Sequence, residues 1–571
     1  METFSSGLPH AIFMLLFVAY FKLFESDTNW AFITFYDDEE NFEINPQFQN
    51  GCQGIYERQG WFEPLLEVLE PISWLCKSFI FVLSGCELNS RYIRIASLTI
   101  HTMNALLASW FSISFLKLCK IEKNVVLASW IAAGFFVLHP VHVESVCWPS
   151  AIGYPLAGFF SLLAGIVLLN NPSSVLLPVI LYLFATLSKA SSLPVISVYS
   201  IILFVHGHFD IKPNLRMAFW LRRVGCFLFK ISVSLGIALH GNQVETGLDL
   251  ISYSKVSRIN GAFIMVINTL QKWLWPVKFN ISQQLDFDMV TTMHPQLLLS
   301  FVVVMFAGGW AVVTSGIFVF KSLLRQSTEP IPLHILASFA TVCFLFMLLP
   351  ASGIIRHGRI TLNADRYMYL ASALVLTPVL TIVLSRVLSS VANRYKVIFP
   401  LVVWLLCLGF LTHEQSKVWI TQDALCNHSL TTDPTNWPFL LQCGDTNYKS
   451  ANMQVAYRYY DHVLLFSPPA SFGERILLLR ARLQVTRFSN FSAACSLYKD
   501  GNAWFPESSY ILNNLALCFG AGKFNGNEHY MIALMQEAIE KRNFVAGDEK
   551  RFLTNLELIK QGRLSETIIL F

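Results

Sequence analysis

The sequence predicts an all-α, polytopic membrane protein with about 11 transmembrane helices and a helical C-terminal domain. Hydrophobic residues make up 54% of the 571 residues and charged residues only 14%, which is more apolar than an ordinary globular chain. Apolar runs long enough to cross about 30 Å of hydrocarbon recur through the first three quarters of the chain. The last part, residues 412–571, is less hydrophobic and has helical periodicity.

Each predicted span is an apolar run bounded by polar or charged residues. In order, the runs are Leu8–Phe24, Ile93–Phe115, Val125–Leu138, Ile152–Leu169, Val175–Leu187, Leu193–Val205, Val224–Leu239, Leu297–Phe320, Ile331–Leu349, Tyr369–Leu388 and Val397–Leu411. A cleaved signal peptide is an alternative for the first run, although no basic residue precedes it. These spans predict a membrane domain over residues 1–411.

Two other apolar segments are expected to lie along the membrane surface as amphipathic helices. In Ile55–Leu83, a span at Ile72–Leu83 would place all the basic loops on the wrong side of the membrane. Ile259–Val277 carries Trp273 and Trp275, which are suited to anchor a helix at the headgroups. Both segments are therefore excluded from the predicted spans.

Basic residues concentrate in alternate loops, and the positive-inside rule makes those loops cytoplasmic. They are Lys117, Lys120, Lys123, Lys212, Arg216, Arg222, Arg223, Lys321, Arg325, Arg386, Arg394 and Lys396. The complementary loops, 25–90, 139–151, 240–296 and 350–368, are then lumenal. The net charge of +4 comes mainly from the cytoplasmic loops. It therefore gives no reason to expect a nucleic-acid partner.

Three glycosylation sequons fall in segments assigned to the lumen, at Asn280, Asn427 and Asn490. The chain is therefore expected to be a multi-pass membrane protein whose non-cytoplasmic loops and C-terminal domain lie in the same compartment.

The C-terminal domain, residues 412–571, is expected to be helical. Small, aromatic and proline positions match a degenerate tetratricopeptide repeat, and a plain helical bundle fits nearly as well. The matching residues are Leu478, Ala481, Ala494, Tyr498 and Pro506, with a second set at Leu512, Leu515, Ala516 and Phe519. Four cysteines in this region, Cys426, Cys443, Cys495 and Cys518, would allow disulfides in an oxidising compartment. The cysteines show no zinc motif.

The densest polar cluster is Tyr36–Asn41, which holds four successive acids soon after the first span. Asp37 and Asp38 are the candidates for a catalytic base that accepts a proton from an attacking hydroxyl group. The residues do not distinguish between the two. The alternative is a solvated acidic stretch beside the membrane.

A second cluster closes the third span with His139, His142 and Glu144. The imidazoles could donate hydrogen bonds to a phosphate leaving group, with Glu144 orienting one of them. Alternatively, His139 caps the helix end and the other side chains meet water. A metal site is disfavoured because its third ligand would have to come from a distant loop.

Basic residues on the lumenal side go against the positive-inside rule, and they indicate anion binding. Lys189 stands between two apolar runs, and it is either a phosphate ligand or a lysine that reaches to the interface. The last lumenal loop combines basic, acidic and aromatic residues, namely Arg356, His357, Arg359, Asp365, Arg366, Tyr367 and Tyr369. It could anchor a lipid phosphate, and a structural Asp365–Arg366 network is the alternative.

Together these motifs resemble the transmembrane and tetratricopeptide-repeat O-mannosyltransferases and, more broadly, the protein O-mannosyltransferase group with the GT-C fold. The resemblance spans most of the membrane domain. It is carried by Phe35–Asp38 with Asn45-Pro46, Arg94 and His101–Leu107, Leu138–Val146, Leu187–Lys189, Asp365–Leu370, and Trp419 ahead of Asp433-Pro434.

The resemblance implies a dolichyl-phosphate-mannose donor, a Ser or Thr hydroxyl acceptor on a secretory or membrane protein, and an endoplasmic reticulum membrane location. It implies that Asp37 or Asp38 is the base, and that Lys189, Arg366 and either His139 or His142 hold the developing phosphate charge. The lumenal tail would grip the acceptor protein. No tightly bound cofactor is expected, and metal dependence stays open.

The chain departs from the family pattern at two places. Trp148–Tyr154 stands where the family carries an Arg-Ala-Asp type sequence, and Ala371 replaces the usual proline after Tyr369-Leu370. Two other classes of function fit the sequence less well. A transporter would place charges near the bilayer midplane or show a duplicated half, and neither pattern is present. A non-catalytic adaptor that binds client proteins through its tail would not need so many spans.

Overall fold

The structure is a computed structural model of the chain. It describes residues 2–25, 30–34, 37–56, 69–174, 176–210, 254–277, 279, 281, 290, 294–324, 330–354, 364–390, 395–465, 470–486, 490–520, 528–541 and 549–563. This part of the chain is helical and contains no strand, as the composition predicted. It divides into two compact units, residues 1–428 and 429–571.

In the described residues of the first unit we label 13 helices in chain order. They are α1 (Glu2–Ala19), α2 (Pro71–Leu83), α3 (Ser90–Leu118), α4 (Val125–Val137), α5 (Val143–Cys147), α6 (Gly153–Asn170), α7 (Leu176–Ser188), α8 (Ile196–Asp210), α9 (Lys255–Leu274), α10 (Pro295–Leu324), α11 (Leu333–Leu348), α12 (Thr377–Ser390) and α13 (Tyr395–Val418). Shorter helical turns occur at Pro46–Gln49, Gly51–Tyr56, Pro140–His142, Pro149–Ile152, Ala190–Val195 and Asp365–Ala371, among other places.

Six helical segments in the described residues are long and apolar enough to cross a membrane. They are Pro149–Asn170, Ala190–Phe209, Pro295–Leu323, Leu333–Ala351, Asp365–Ser390 and Tyr395–Val418. A seventh candidate is the pair Val125–Val137 and Pro140–Cys147, whose axes bend by 52°. These segments make the chain a membrane protein by length and composition.

The other four predicted spans are not among these candidate segments, and they remain predictions. Leu8–Phe24 and Ile93–Phe115 fall largely on the helices α1 and α3, and α3 carries polar residues such as His101 and Asn104. Val175–Leu187 corresponds to α7, whose 13 residues are short for a span. Val224–Leu239 lies outside the described residues.

A break after α4 determines where the histidine motif, His139–His142, lies. Pro140 begins a new helical turn, where its missing N–H costs no hydrogen bond, and His139 Nδ1 caps that turn by accepting the Val141 N–H at 3.2 Å. Pro149 likewise stands at the first position of the helical turn Pro149–Ile152. The chain therefore changes direction twice before α6, and these bends bring Glu144–Tyr154 across the ends of neighbouring helices.

The helix α3 forms the centre of the unit, since it packs against α4, α6 and α12. The helix α6 also packs on α7, and α1 packs on α13. Small residues allow close contacts. A Cβ at Gly165 would lie 2.6 Å from the Phe111 ring, and one at Gly158 would lie 3.0 Å from Tyr369. By contrast, α10 and α13 expose many large apolar side chains, as expected where lipid replaces a protein neighbour.

Within its described residues, the second unit has seven helices from Trp437 onward, and the helix Gln422–Thr432 includes the division between the units. They are Trp437–Lys449, Met453–Leu464, Ala470–Thr486, Phe491–Trp504, Ser509–Gly520, Glu528–Lys541 and Glu549–Lys560. Successive helices pack on one another, the last five share one apolar core, and Cys495 and Cys518 form a disulfide within that core. The repeat assignment stays a prediction, because a helical bundle also packs its successive helices together.

Candidate active site

Asp38 lies fully buried at the start of a short helical turn that follows the first helix. Its Oδ2 accepts the backbone N–H of Ile33 at 2.8 Å. Its Oδ1 accepts the backbone N–H of Ser150 at 3.1 Å and also the Ser150 hydroxyl group. Burial raises the pKa of Asp38 to about 6, against the opposing effects of these hydrogen bonds and of the nearby Arg94 charge.

Asp37 differs from Asp38 although the two are adjacent. Its backbone is in the left-handed region, with φ of 74°, and its carbonyl oxygen accepts hydrogen bonds from the backbone and side chain of Asn41. Aspartate tolerates this conformation better than most residues, so Asp37 turns the chain. The turn directs the Asp38 carboxylate inward, and Asp37 stays partly exposed.

Arg94 on α3 connects that helix and the loop that bears Asp38 to two other segments. Its side chain is fully buried and lies over the Trp30 ring at 4.9 Å. The guanidinium group donates to the Cys147 carbonyl at 2.5 Å, to Ser90 Oγ at 2.5 Å, to the Ala31 carbonyl at 2.7 Å and to the Trp419 carbonyl at 3.3 Å. A planar, permanently charged donor group suits this set of four acceptors.

Glu144 and Arg366 form an ion pair between the end of the histidine motif and the last predicted lumenal loop. The backbone N–H of Arg366 also donates to Glu144 Oε2 at 2.9 Å. The guanidinium group lies 5.1 Å from the Trp148 ring and 4.9 Å from the Tyr367 ring. Glu144 therefore orients Arg366, whereas the sequence suggested that it orients a histidine.

Lys189 forms an ion pair with Glu70 and lies over the Tyr154 ring at 5.3 Å. The Glu70 partner comes from the residue before α2, and Ser73 on α2 holds the same end of α7 by donating to the Ser188 carbonyl at 2.6 Å. Burial alone would lower the pKa of Lys189, but the charge and hydrogen bond of Glu70 together with the nearby Tyr154 outweigh burial and raise that pKa. Lys189 therefore stays charged in its half-buried position.

The C-terminal end of α9 contacts both the histidine motif and the last predicted lumenal loop. Lys272 Nζ donates to Asp365 Oδ1 at 2.7 Å, and both side chains are largely buried. His139 Nε2 lies 2.9 Å from the Trp273 carbonyl oxygen, and the His139 and Trp273 rings stack at 6.3 Å. Asp365 thus pairs with Lys272, while its neighbour Arg366 pairs with Glu144.

His142 is fully buried beside His101 and Tyr369. His101 Nδ1 and Asn104 Nδ2 are 2.8 Å and 3.0 Å from the Tyr369 hydroxyl oxygen. The His142 ring lies 5.1 Å from Tyr369, and neither of its nitrogens has a hydrogen-bond partner among the described residues. His139 and His142 therefore do not face open water, because the bend at Pro140 folds the motif back into the protein.

These groups meet along one stretch of chain, Glu144–Tyr154. Its residues contact, in order, Arg366 through Glu144 and Trp148, Asp38 through Ser150, and Lys189 through Tyr154. A buried carboxylate and two of the basic side chains therefore border the same short segment. A carboxylate that holds a hydroxyl group, beside cations that can hold an anion, is a combination suited to transfer of a group between oxygen atoms.

The sequence assigns no role to several of these residues: Glu70, Ser150 and Lys272 are not singled out, and Arg94 is noted only as part of the family resemblance. A charged residue inside an apolar helix is an indication of function, and Arg94 shows that pattern. Glu70 and Lys272 lie in segments expected to be interfacial, where charges are ordinary. Nothing in the sequence distinguishes Ser150 from the other serines of the chain.

Several of the predicted residues lie elsewhere or outside the described part of the chain. Arg359 and Asn280, like the neighbouring candidates Arg356 and His357, fall outside the described residues. Asn427 and Asn490 are exposed, and Asn490 caps the helix Phe491–Trp504. Within the described ranges, no three His, Cys, Asp or Glu side chains are grouped so that they could hold a metal ion.

Comparison with known proteins found no family model, no curated protein and no solved structure that matches this chain.

Proposed function

We propose that this protein is a glycosyltransferase that moves mannose from dolichyl-phosphate-mannose to Ser or Thr hydroxyl groups of secretory-pathway proteins. The observation that carries the proposal is the segment Glu144–Tyr154, which borders both the Asp38 carboxylate and the Arg366 and Lys189 cations. Transfer from a phosphate ester to a hydroxyl needs a base and an anion-binding group close together. The choice of mannose and dolichol rests on the motif resemblance.

Asp38 is the base in this mechanism. The Ser150 hydroxyl group already donates to Asp38 Oδ1, so the carboxylate has the position and the burial to accept a hydroxyl proton. The acceptor oxygen attacks the anomeric carbon of the sugar and forms the new C–O bond. The bond from that carbon to the phosphate oxygen breaks, the phosphate leaves with its electron pair, and the proton goes to Asp38.

Arg366, Lys189 and Lys272 hold the phosphate. Each is paired with one carboxylate, namely Glu144, Glu70 and Asp365 respectively. An ammonium group has three N–H donors, so a lysine held by one carboxylate can still donate to a phosphate oxygen. The paired acids keep the cations in place before the donor arrives, which lowers the cost of ordering them on binding.

Two disulfides support a non-cytoplasmic location for the site. Cys52 and Cys86 are joined within the first predicted lumenal loop, and Cys495 is joined to Cys518 in the second unit. Structural disulfides persist in oxidising compartments such as the lumen of the endoplasmic reticulum.

The proposal is tested by incubating purified full-length protein with radiolabelled donors and a Ser/Thr-rich acceptor peptide. We expect label in the peptide with dolichyl-phosphate-mannose and none with GDP-mannose, which lacks the lipid. Dolichyl-phosphate-glucose tests the identity of the sugar. Transfer of glucose alone would overturn the assignment of mannose, and no transfer from any dolichyl-phosphate sugar would overturn the proposed activity.

A further inference from the structure

The helix α2 carries a buried lysine, Lys77, that has no part in the mechanism described so far. Its side chain is 2% exposed, and no carboxylate of the described residues forms an ion pair with it. Its Nζ donates to Asn41 Oδ1 at 2.7 Å and lies 4.3 Å from the Trp74 ring and 5.2 Å from the Phe42 ring. A buried cation without a carboxylate partner is unfavourable, and two aromatic faces offset only part of that cost.

Lys77 holds the turn that directs Asp38 into the protein. Asn41, which accepts the Lys77 hydrogen bond, donates through Nδ2 to the Asp37 carbonyl at 2.7 Å and through its backbone N–H to the same oxygen at 3.0 Å. Asp37 has the left-handed backbone that makes the turn. The line of contacts from Lys77 therefore ends at the residue before Asp38.

The same helix holds the Lys189 cation near its other end. Glu70, directly before α2, forms the ion pair with Lys189, and Ser73 on α2 binds the adjacent end of α7. About two turns of helix, or about 10 Å, separate Glu70 from Lys77. Because a short helix is a rigid element, α2 fixes the spacing between the Asp38 turn and the Lys189 cation.

We propose that Lys77 is a positioning residue that, through α2, holds the Asp38 carboxylate at the distance from the Lys189 cation that transfer requires. This inference rests on the proposed function, because base and phosphate-binding cation must engage acceptor and donor at the same time. A displacement of about 1 Å in such an arrangement lowers the rate by a large factor. The charge of Lys77 strengthens its hydrogen bond to Asn41 and its attraction to the two rings.

The charge of Lys77 depends on pH. Burial lowers the pKa of Lys77 to about 8, although the nearby carboxylates act in the opposite direction. The titratable groups that face it are Glu70, Asp38, Cys76 and Lys189, and Glu87 lines the same small cavity as Lys77. The charged form is therefore present below pH 8 and is lost as pH rises through that value. The plateau of activity above the pKa of Asp38 is expected to end there.

Substitution of Lys77 tests the positioning role. Lys77→Met removes the charge and the donor but keeps the length of the side chain. We expect it to lower kcat for mannose transfer about tenfold and to change the KM for dolichyl-phosphate-mannose by less than about twofold, since Lys77 does not touch the donor. Lys77→Arg keeps both the charge and the donor, and the adjoining cavity leaves room for it, so kcat is expected to recover.

The control is Lys120→Met, which removes another contact between a lysine and an aromatic ring. Lys120 Nζ lies 4.4 Å from the Phe209 ring, beyond the C-terminal end of α3 and far from Arg94 at its start. This variant is expected to transfer mannose at the wild-type rate. A wild-type kcat in Lys77→Met, or a rise in KM with kcat unchanged, would overturn the inference.

The pH profile separates positioning by a charge from a purely steric role. We expect kcat of the wild type to fall about fivefold between pH 7 and pH 9.5, as Lys77 loses its proton. Lys77→Arg is expected to stay within about twofold over the same range, because guanidinium keeps its proton. The same alkaline decline in both proteins would overturn the inference.

Hydrogen–deuterium exchange of the full-length protein without donor gives a readout that does not depend on activity. We expect amides of residues 37–48 to exchange about threefold faster or more in Lys77→Met than in the wild type, and Lys77→Arg to match the wild type. Amides of residues 509–520 in the second unit are the internal control. Equal exchange at residues 37–48 in all three proteins, with mannose transfer intact, would overturn this inference alone. Absence of transfer by the wild type would overturn the proposed function and, with it, the role of Lys77 in transfer.

Discussion

At the scale of the residue, the structure gives Asp37 and Asp38 different roles, which the sequence could not distinguish. Asp37 has the left-handed backbone that makes the turn, and Asp38 points into the protein, where Ile33, Ser150 and Arg94 surround it. A run of acids indicates a cluster of charge but not the direction of each side chain. The backbone dihedral angle at Asp37 decides that direction, and it depends on contacts far along the chain.

The raised pKa of Asp38 predicts the pH dependence of transfer. Only the ionised carboxylate can accept a proton, so activity is lost as pH falls through the pKa of about 6. We expect kcat/KM for transfer to fall about tenfold per pH unit below pH 6 and to level off above it. The Ser150 hydroxyl lowers the pKa of Asp38, so Ser150→Ala is expected to move this decline to higher pH. A flat profile between pH 5 and 8 would exclude Asp38 as the base.

Arg94 is predicted to be essential for the position of the Asp38 loop. Arg94→Lys keeps the charge but cannot serve four acceptors in separate segments, so buried carbonyl groups lose their donors. We expect a loss of about 3 kcal/mol in the free energy of unfolding, measured by denaturant titration in detergent. Arg386→Lys, at an exposed position on α12, is the control and is expected to leave stability unchanged. Equal stability of Arg94→Lys and the wild type would show that the loop is held in another way.

At the scale of the element, the sequence predicted most of the helices but not how they break. Apolar runs identify α4, α6, α8 and α10–α13, because burial in lipid or protein needs continuous apolar surface. The path between α4 and α6 depends instead on Pro140, Pro149 and a cap by His139. The sequence therefore placed His142 and Glu144 at a helix end in the lumen, whereas the bend buries both. Hydrophobic periodicity contains no information about such a reversal.

The Cys52–Cys86 disulfide is predicted to stabilise the segment that bears Asp38. It joins the chain on the C-terminal side of Asp38 to a residue that closely follows α2, with a sequence separation of 34. Closing a loop of this length is expected to contribute about 4 kcal/mol. We expect Cys52→Ser to lower the thermal unfolding midpoint in non-reducing buffer, and reductant to lower that of the wild type more than that of the variant. Cys407→Ser, which removes an exposed free thiol, is the control. A wild-type midpoint insensitive to reductant would contradict this prediction.

At the scale of the whole molecule, topology connects the membrane unit with the second unit. The positive-inside rule and the sequons predicted that the second unit shares a compartment with the site. Eleven spans and a lumenal tail remain predictions, because α1, α3 and α7 are helices whose length or polarity leaves the crossing undecided. Polar side chains that a helix buries against its neighbours reduce the hydropathy on which the prediction depends.

Glycosylation tests that topology directly. Asn490 is exposed at the start of its helix, and its side-chain oxygen accepts the Ala493 N–H at 3.0 Å, which leaves the amide nitrogen available for a glycan. We expect Asn490→Gln to remove one endoglycosidase-sensitive mass increment from the protein expressed in a eukaryotic cell. Ser492→Ala should have the same effect, whereas Asn452→Gln, at an exposed asparagine outside any sequon, should have none. A protein without any glycan at Asn490 and Asn427 would argue that the second unit faces the cytosol.

The central claim is that Asp38, and not its neighbour, is the base of a site that transfers a sugar from a lipid phosphate. The most direct measurement compares mannose transfer by Asp38→Asn and Asp37→Asn at matched thermal stability. Asparagine tolerates the left-handed backbone at position 37, so that variant changes the charge with little effect on the turn. We expect Asp38→Asn to lose transfer by about a hundredfold or more and Asp37→Asn to retain most of it. Full activity of Asp38→Asn, or loss in Asp37→Asn alone, would contradict the account.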